Sequence, residues 1–392
     1  MIIEINKFKI LIMSKLFNKL KIFVILLTCY LQAILFGKAK KNLTQPKKIL
    51  IIQTASLGDM VCATPVFHAV KKQYSDCQIT VMGNKPNQEL LANNLDVDEY
   101  VLLNIKNNFW QEVKNIKTKN FDFACLIFPD FYALALLFLA NIKSICAPKI
   151  IGYSPYNSKA YRLLLPLVNS RSHYVRQYAA RQYLKMLEPI NIFATDTKKH
   201  LSYSTVSEQK IVSFFKENNI NDNNLIVCVV PTAGNKIKEW PAEKFVQIIN
   251  YLKEKYQAKI IITAAPSEQE TVQEVLRNLK LNSNVFNFVG DVEELKALIA
   301  KTKLYISVDT GPIYIAEAFD IPTIDILGPV DENDQPPISP KNLIVKAQRE
   351  KSETYVMNSR KYNRAEALRQ VNDITVEMVQ EKIDSIAKVL KF

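Results

Sequence analysis

The stretch KKILIIQTASLGDMVCATPVFHAVKKQY, residues 47–74, decides how the chain is read. Ile49 to Ile52 form an unbroken apolar run, as a strand buried on both faces requires. A small-residue loop follows, and Gly58-Asp59 opens the approach to a helix. Thr64 reads as its cap and Pro65 as a first-turn residue, so the spacing predicts a helix over Thr64 to Tyr74. Strand, short loop and helix are the repeating unit of a parallel α/β sheet.

Working outward, the same unit recurs. Strands are expected near 48–53, 78–83, 99–104, 122–129 and 149–153, and YVRQYAARQYLKML, 174–187, has a helical period. From Glu188 to Asn224 the chain turns polar. A second series then begins: LIVCVVP at 225–231, AKIIITAAP at 258–266, VFNFVG at 285–290, LYISVD at 304–309 and IPTIDILGP at 321–329. Helices are expected over Ala242 to Tyr256, after Ser267, over Val292 to Lys301 and over Thr375 to Leu390. The expected fold class is therefore α/β, with two doubly wound Rossmann-like halves, 47–190 and 191–392, facing a cleft at the carboxyl ends of their strands.

Residues 1–46 stand apart. The chain carries a net charge of +13, but residues 1–48 hold ten lysines against Glu4 alone, leaving only +4 for the rest. Ile22 to Phe36 is a largely apolar run of fifteen residues, short of the roughly 20 that span a bilayer untilted. No small-x-small cleavage site follows it, which disfavours a signal peptide. Lysines on both flanks suit a basic hydrophobic segment attached to an anionic cytoplasmic leaflet, either spanning the membrane or lying on it. Because the charge excess sits there, nucleic acid is not the expected partner.

The six cysteines, Cys29, Cys62, Cys77, Cys125, Cys146 and Cys228, show no CxxC pair or zinc-like spacing and read as reduced structural thiols. The three histidines, His68, His173 and His200, are dispersed in sequence and suggest no histidine-rich metal site. The DVD triplet, Asp96 to Asp98, reads as a solvated turn. No GxGxxG follows an expected strand, which argues against a nicotinamide cofactor.

Four features carry chemistry. Asp59 suits either a helix cap or a general base that takes the proton of an attacking hydroxyl. In PTAGNKIKEWPAEKF, 231–245, Lys236 and Lys238 are placed to neutralise a diphosphate, or to sit solvated, while Trp240 reads as a packing anchor. Asp309 ends a strand before Thr310, Gly311 and Pro312, a turn suited to a nucleotide diphosphate, with Asp309 itself better matched to sugar hydroxyls or to a simple cap. Between Lys143 and Lys185 there are eight basic residues and no acid, among them Arg171, Arg176 and Arg181, which suit either an anionic acceptor or a charged helix face.

Taken in this order, SLGDMVCATPVFHAVKKQYSDCQITVMG, KEWPAEKF, VDTG and ILGPVDE resemble glycosyltransferase family 9, the ADP-heptose:lipopolysaccharide heptosyltransferases, from about Lys48 to the C-terminus. The resemblance implies the GT-B architecture and an inverting transfer needing no metal or other cofactor, from a nucleotide-activated sugar to an anionic glycolipid. It implies Asp59 as base, Lys238 on the donor phosphates, Thr310 and Gly311 as the phosphate turn, Asp309 on the donor sugar and Glu268 on the ribose. The basic interval would lie in the acceptor-binding half. Where many members carry histidine, three residues after the glycine of the turn, this chain has Tyr314. The alternatives are a non-catalytic sugar-nucleotide-binding protein on the same scaffold and a member using another nucleotide sugar.

Overall fold

The computed structural model describes residues 2–279 and 284–391; Met1, Phe392 and residues 280–283 of the expected segments lie outside them. Two six-stranded sheets, parallel throughout, form the two halves. The first contains β1 (Lys48–Ile52), β2 (Gln78–Gly83), β3 (Glu99–Leu102), β4 (Phe123–Leu126), β5 (Ser144–Ile151) and β6 (Asn169–Tyr174), in the order β3-β2-β1-β4-β5-β6. The second contains β7 (Ile226–Val230), β8 (Lys259–Thr263), β9 (Val285–Phe288), β10 (Leu304–Val308), β11 (Thr323–Ile326) and β12 (Asn342–Val345). Its order, β9-β8-β7-β10-β11-β12, repeats that of the first. In both sheets the strand order therefore reverses beside the first strand, between β1 and β4 and between β7 and β10, and an open α/β sheet binds ligands at such a switch point.

Alternate residues of β1 enter different cores. Ile49 and Ile51 join the helix Leu57–Gln73, whereas Leu50 and Ile52 pack with the helix Phe131–Leu139. The first of these cores continues into the second half through Cys228, Val230, Tyr305 and Tyr314. Polar contacts reinforce the junction. The Lys296 ammonium donates to the Leu90 carbonyl at 2.7 Å, and the Ala179 N–H to the Asp334 carbonyl at 2.7 Å.

A single helix, Ile2–Phe36, precedes the first sheet. Its stripe Ile22, Ile25, Leu26, Cys29 and Ala33 packs on the first half at helical spacing. Tyr30 and Gln32 donate to the carbonyls of Leu163 and Phe138. The apolar window runs over Leu16–Phe36, 21 residues, longer than the run from Ile22 suggests.

Several expected boundaries move. The first crossover helix begins at Leu57, not Thr64, and carries Pro65 in its interior. A helical proline orphans the carbonyl four residues back, here that of Val61, and the Thr64 hydroxyl donates to it at 2.7 Å. Thr64 thus repairs the helix rather than starting it. The helix expected over 174–187 divides into the end of β6, a turn with Arg176 at φ +60°, the helix Ala179–Leu184 and a 3₁₀ segment, Lys185–Ile190. The edge strands β6 and β12 were not expected, and β5 starts earlier than KIIGY.

The polar connection between the halves is also anchored. His200 stacks on His68 with ring centroids 3.8 Å apart, and Asp96 lies 3.2 Å from His68 Nδ1. Although dispersed in sequence, these three side chains meet in the fold, with ligating atoms within 4.8 Å of one another. Asp98, expected to be solvated, pairs with Lys71 at 2.7 Å and accepts from the Ile79 N–H. All six cysteines are buried and free.

The Thr64 oxygen also accepts the His200 N–H at 2.9 Å, so it serves the helix and the connection at once. Thr64→Val is expected to keep the shape, orphan both partners and destabilise the fold by about 1–3 kcal/mol. Urea denaturation checks this; an unchanged midpoint would contradict it.

Candidate active site

The loop after β1 and the loops after β7 and β10 meet where the two sheets' carboxyl ends face each other. Gly58 and Gly311 form the contact. A β-carbon on Gly58 would lie 2.9 Å from the Tyr314 ring and 3.1 Å from Gly311 Cα, and one on Gly311 would lie 3.1 Å from the Gly58 nitrogen. A side chain at either position would push its neighbours aside.

Two chambers flank this contact. One, of about 880 Å³, is walled mostly by the second half, including Thr263, Glu268, Gly290 and Asp291, with Ser56 to Gly58 and Glu89 from the first. The other, of about 400 Å³, is lined from both halves, including Asp59, Asn84, Tyr156, Asp334 and Thr354. Ser56, Gly58, Lys238, Asp309, Thr310 and Gly311 line both. A dumbbell-shaped ligand could thus lie with one end in each chamber and its middle between Lys238 and the Thr310-Gly311 turn.

Asp59 sits at the third position of its helix, where its Oδ2 accepts the Ser56 N–H at 3.1 Å. The side chain also lines the smaller chamber. Cap and base are therefore compatible roles for this carboxylate. Burial pushes the Asp59 carboxyl up to about 6, against the Ser56 N–H and the Lys238 charge, which draw it down. A carboxylate in that range is ionised at neutral pH yet basic enough to accept a proton.

Lys238 follows β7 in the 3₁₀ turn Lys236–Lys238 and reaches Asp309 Oδ2 at 2.5 Å. Burial alone would favour a neutral amine, but the Asp309 charge outweighs it and holds the ammonium above its usual range. The Tyr314 hydroxyl donates to the other Asp309 oxygen at 3.0 Å. Behind them Asp325, on β11, is buried, and neither of its oxygens has a partner among the described residues. Burial, and then the charge of Asp309, push it well above the ordinary carboxylate range. Glu268 lies across the larger chamber, its Oε2 accepting the Thr232 hydroxyl at 2.7 Å.

The structure thus gathers Asp59, Lys238, Asp309, Thr310 and Gly311 at one place, with Glu268 on the wall of the larger chamber. The three arginines line neither chamber. Arg171 pairs with Glu188, Arg181 is exposed, and Arg176 binds Asp331 and Ser352 and lies over the Tyr355 ring at 4.4 Å. Trp240 is a packing anchor, its indole N–H bonded to the Ile374 carbonyl.

Sequence reasoning missed Asp334, Tyr156 and Arg360, all lining the smaller chamber. Asp334 closes the segment VDEND, where its burial had no local signal. Burial pushes its carboxyl up to about 7, despite the Val356 N–H that it accepts.

Gly58→Ala is expected to force the Tyr314 ring and the Gly311 backbone away, at a cost of about 1–3 kcal/mol in stability and with loss of ligand affinity in both chambers. Thermal melting with and without nucleotide would show it; wild-type behaviour in both would contradict the contact's role.

Glycosyltransferase family 9 (heptosyltransferase) matches residues 109–364. Lipopolysaccharide heptosyltransferase 3 of Escherichia coli K12 is 26% identical over 291 residues, covering 70% of this chain and 80% of its own length. Among solved structures, a family 9 glycosyltransferase from Veillonella parvula superposes with a TM-score of 0.71 at 17% identity, covering 88% of this chain and 98% of that one. The E. coli ADP-heptose lipopolysaccharide heptosyltransferase II gives a TM-score of 0.69 at 17% identity, covering 88% and 100%. With the GT-B fold and the family match over most of its length, this chain belongs to glycosyltransferase family 9 and is a transferase.

Proposed function

We propose that the protein transfers heptose from ADP-heptose to a lipopolysaccharide-core or related glycolipid acceptor, with inversion and without a metal. The observation that carries the reading is the convergence of Asp59, from one half, with Lys238 and the Asp309–Gly311 turn, from the other, across a shared pair of chambers. The nucleotide would occupy the larger chamber with Glu268 on its ribose, the diphosphate would lie at Lys238, Thr310 and Gly311, and the sugar would enter the smaller chamber beside Asp309. The 47–190 half would then bind the acceptor and the 191–392 half the donor. The donor choice draws on the ADP-heptose enzymes among the structural relatives.

In the reaction, Asp59 Oδ1 takes the proton of an acceptor hydroxyl as that oxygen forms a bond to the anomeric carbon. The bond from this carbon to the diphosphate breaks, and its electron pair leaves with the nucleotide. Lys238 supplies positive charge where the leaving group gains negative charge, the part a metal plays in other transferases. Tyr314 holds Asp309 so that one oxygen faces Lys238. The protein is proposed to work at the cytoplasmic face of the inner membrane, attached through its N-terminal helix.

Asp59→Asn keeps an oxygen for the Ser56 N–H while removing the base. Turnover is expected to fall by roughly 10²–10⁴-fold, with donor affinity, measured by calorimetry, changed only a few-fold. Unchanged turnover would contradict the assignment.

A further inference from the structure

Beside the end of the N-terminal helix lies a third cavity, of about 570 Å³, that the transfer reaction does not use. Its lining includes Lys40, Lys149 and Arg162 together with Asn157 and Ser170, and contains no carboxylate. None of the three cations forms an ion pair among the described residues. They come from three elements: Lys149 from β5, Arg162 from the helix Lys159–Leu164, and Lys40 from the chain leaving the N-terminal helix, where Ala39 bridges to Val168 and Lys40 to Ser144. Three like charges around one hollow repel each other, and a shared anion relieves that repulsion through charge-assisted hydrogen bonds.

The surroundings identify the anion's source. The N-terminal helix ends at Phe36, four residues before Lys40, and Gly37 turns the chain at φ +83°. Ile34, Leu35 and Phe36 are more than 70% exposed at that end, continuing an apolar face that includes Phe23, Leu27 and Leu31. The opposite stripe is already docked on the protein. A helix with one side packed and the other apolar suits a bilayer interface, and the basic hollow then opens at headgroup level. Neighbouring residues of one loop serve both cavities, Tyr156 lining the smaller chamber and Asn157 the hollow.

We propose that Lys40, Lys149 and Arg162 bind the phosphate of an anionic membrane lipid headgroup, seating the protein with its acceptor side at the bilayer surface. This rests on the membrane attachment proposed above.

Flotation of the full chain with vesicles of phosphatidylcholine, alone or mixed with phosphatidylglycerol, tests it. Wild type is expected to float with the mixed vesicles, and K40A/K149A/R162A to bind them roughly 100-fold more weakly. A control with the same charge change on exposed lysines of the second half, K216A/K303A/K388A, is expected to stay within a few-fold of wild type; melting curves verify that both variants fold. Equal binding by wild type and the pocket variant, or an equal loss in the control, would overturn the pocket while leaving membrane attachment standing. Wild type floating with neither vesicle would overturn the attachment and the pocket with it. Inorganic phosphate that raises the melting temperature of wild type but not of the pocket variant, with vesicle binding alike in both, would replace the lipid by a soluble anion.

Discussion

The backbone of Gly58, in the first half, and that of Gly311, in the second, meet so closely that a β-carbon on Gly311 would crowd the Gly58 nitrogen at 3.1 Å. Each glycine lies beside the functional group that its loop carries, Asp59 on one side and Asp309 and Thr310 on the other. The approach therefore sets the distance between a prospective base and a prospective leaving-group site. The residues at the contact also line both chambers. Tyr314 fills the space over Gly58 and at the same time hydrogen-bonds Asp309, so the side chain that departs from the usual family pattern is built into the contact.

The charges around that contact are organised by burial. Lys238 and Asp309 are ion-paired, and burial, with the charge of Asp309 second, pushes the Asp325 carboxyl behind them well above the ordinary carboxylate range. Asp59, further along the wall, is raised less because Ser56 and Lys238 both favour its ionised form.

Much of this was legible in the sequence, for a definite reason. Strands β1, β7 and β10 are covered on both faces, so they appear as apolar runs, and the chemistry lies just past their ends. The edge strand β6, NSRSHY, has one neighbour and a half-exposed surface, which leaves no such run. Pro65 signalled a helix start because proline is at home there, and only the Thr64 hydroxyl on Val61 explains its place eight residues after the start of a longer helix. The stacking of His68 on His200 and the burial of Asp334 depend on how distant segments cross, which no local pattern encodes. Whether Asp59 caps or catalyses was an even choice from sequence, and the geometry is compatible with both, since Oδ2 accepts the Ser56 N–H while the side chain lines the smaller chamber.

The most direct test is the pH dependence of kcat/KM, which reports ionisations of the free enzyme, measured for wild type and for Asp334→Asn. With Asp59 as the base, both proteins should gain activity as pH rises through about 6, the value to which burial raises this carboxyl. A profile flat across that range, or a rising limb that vanishes when Asp334 is replaced, would contradict the account.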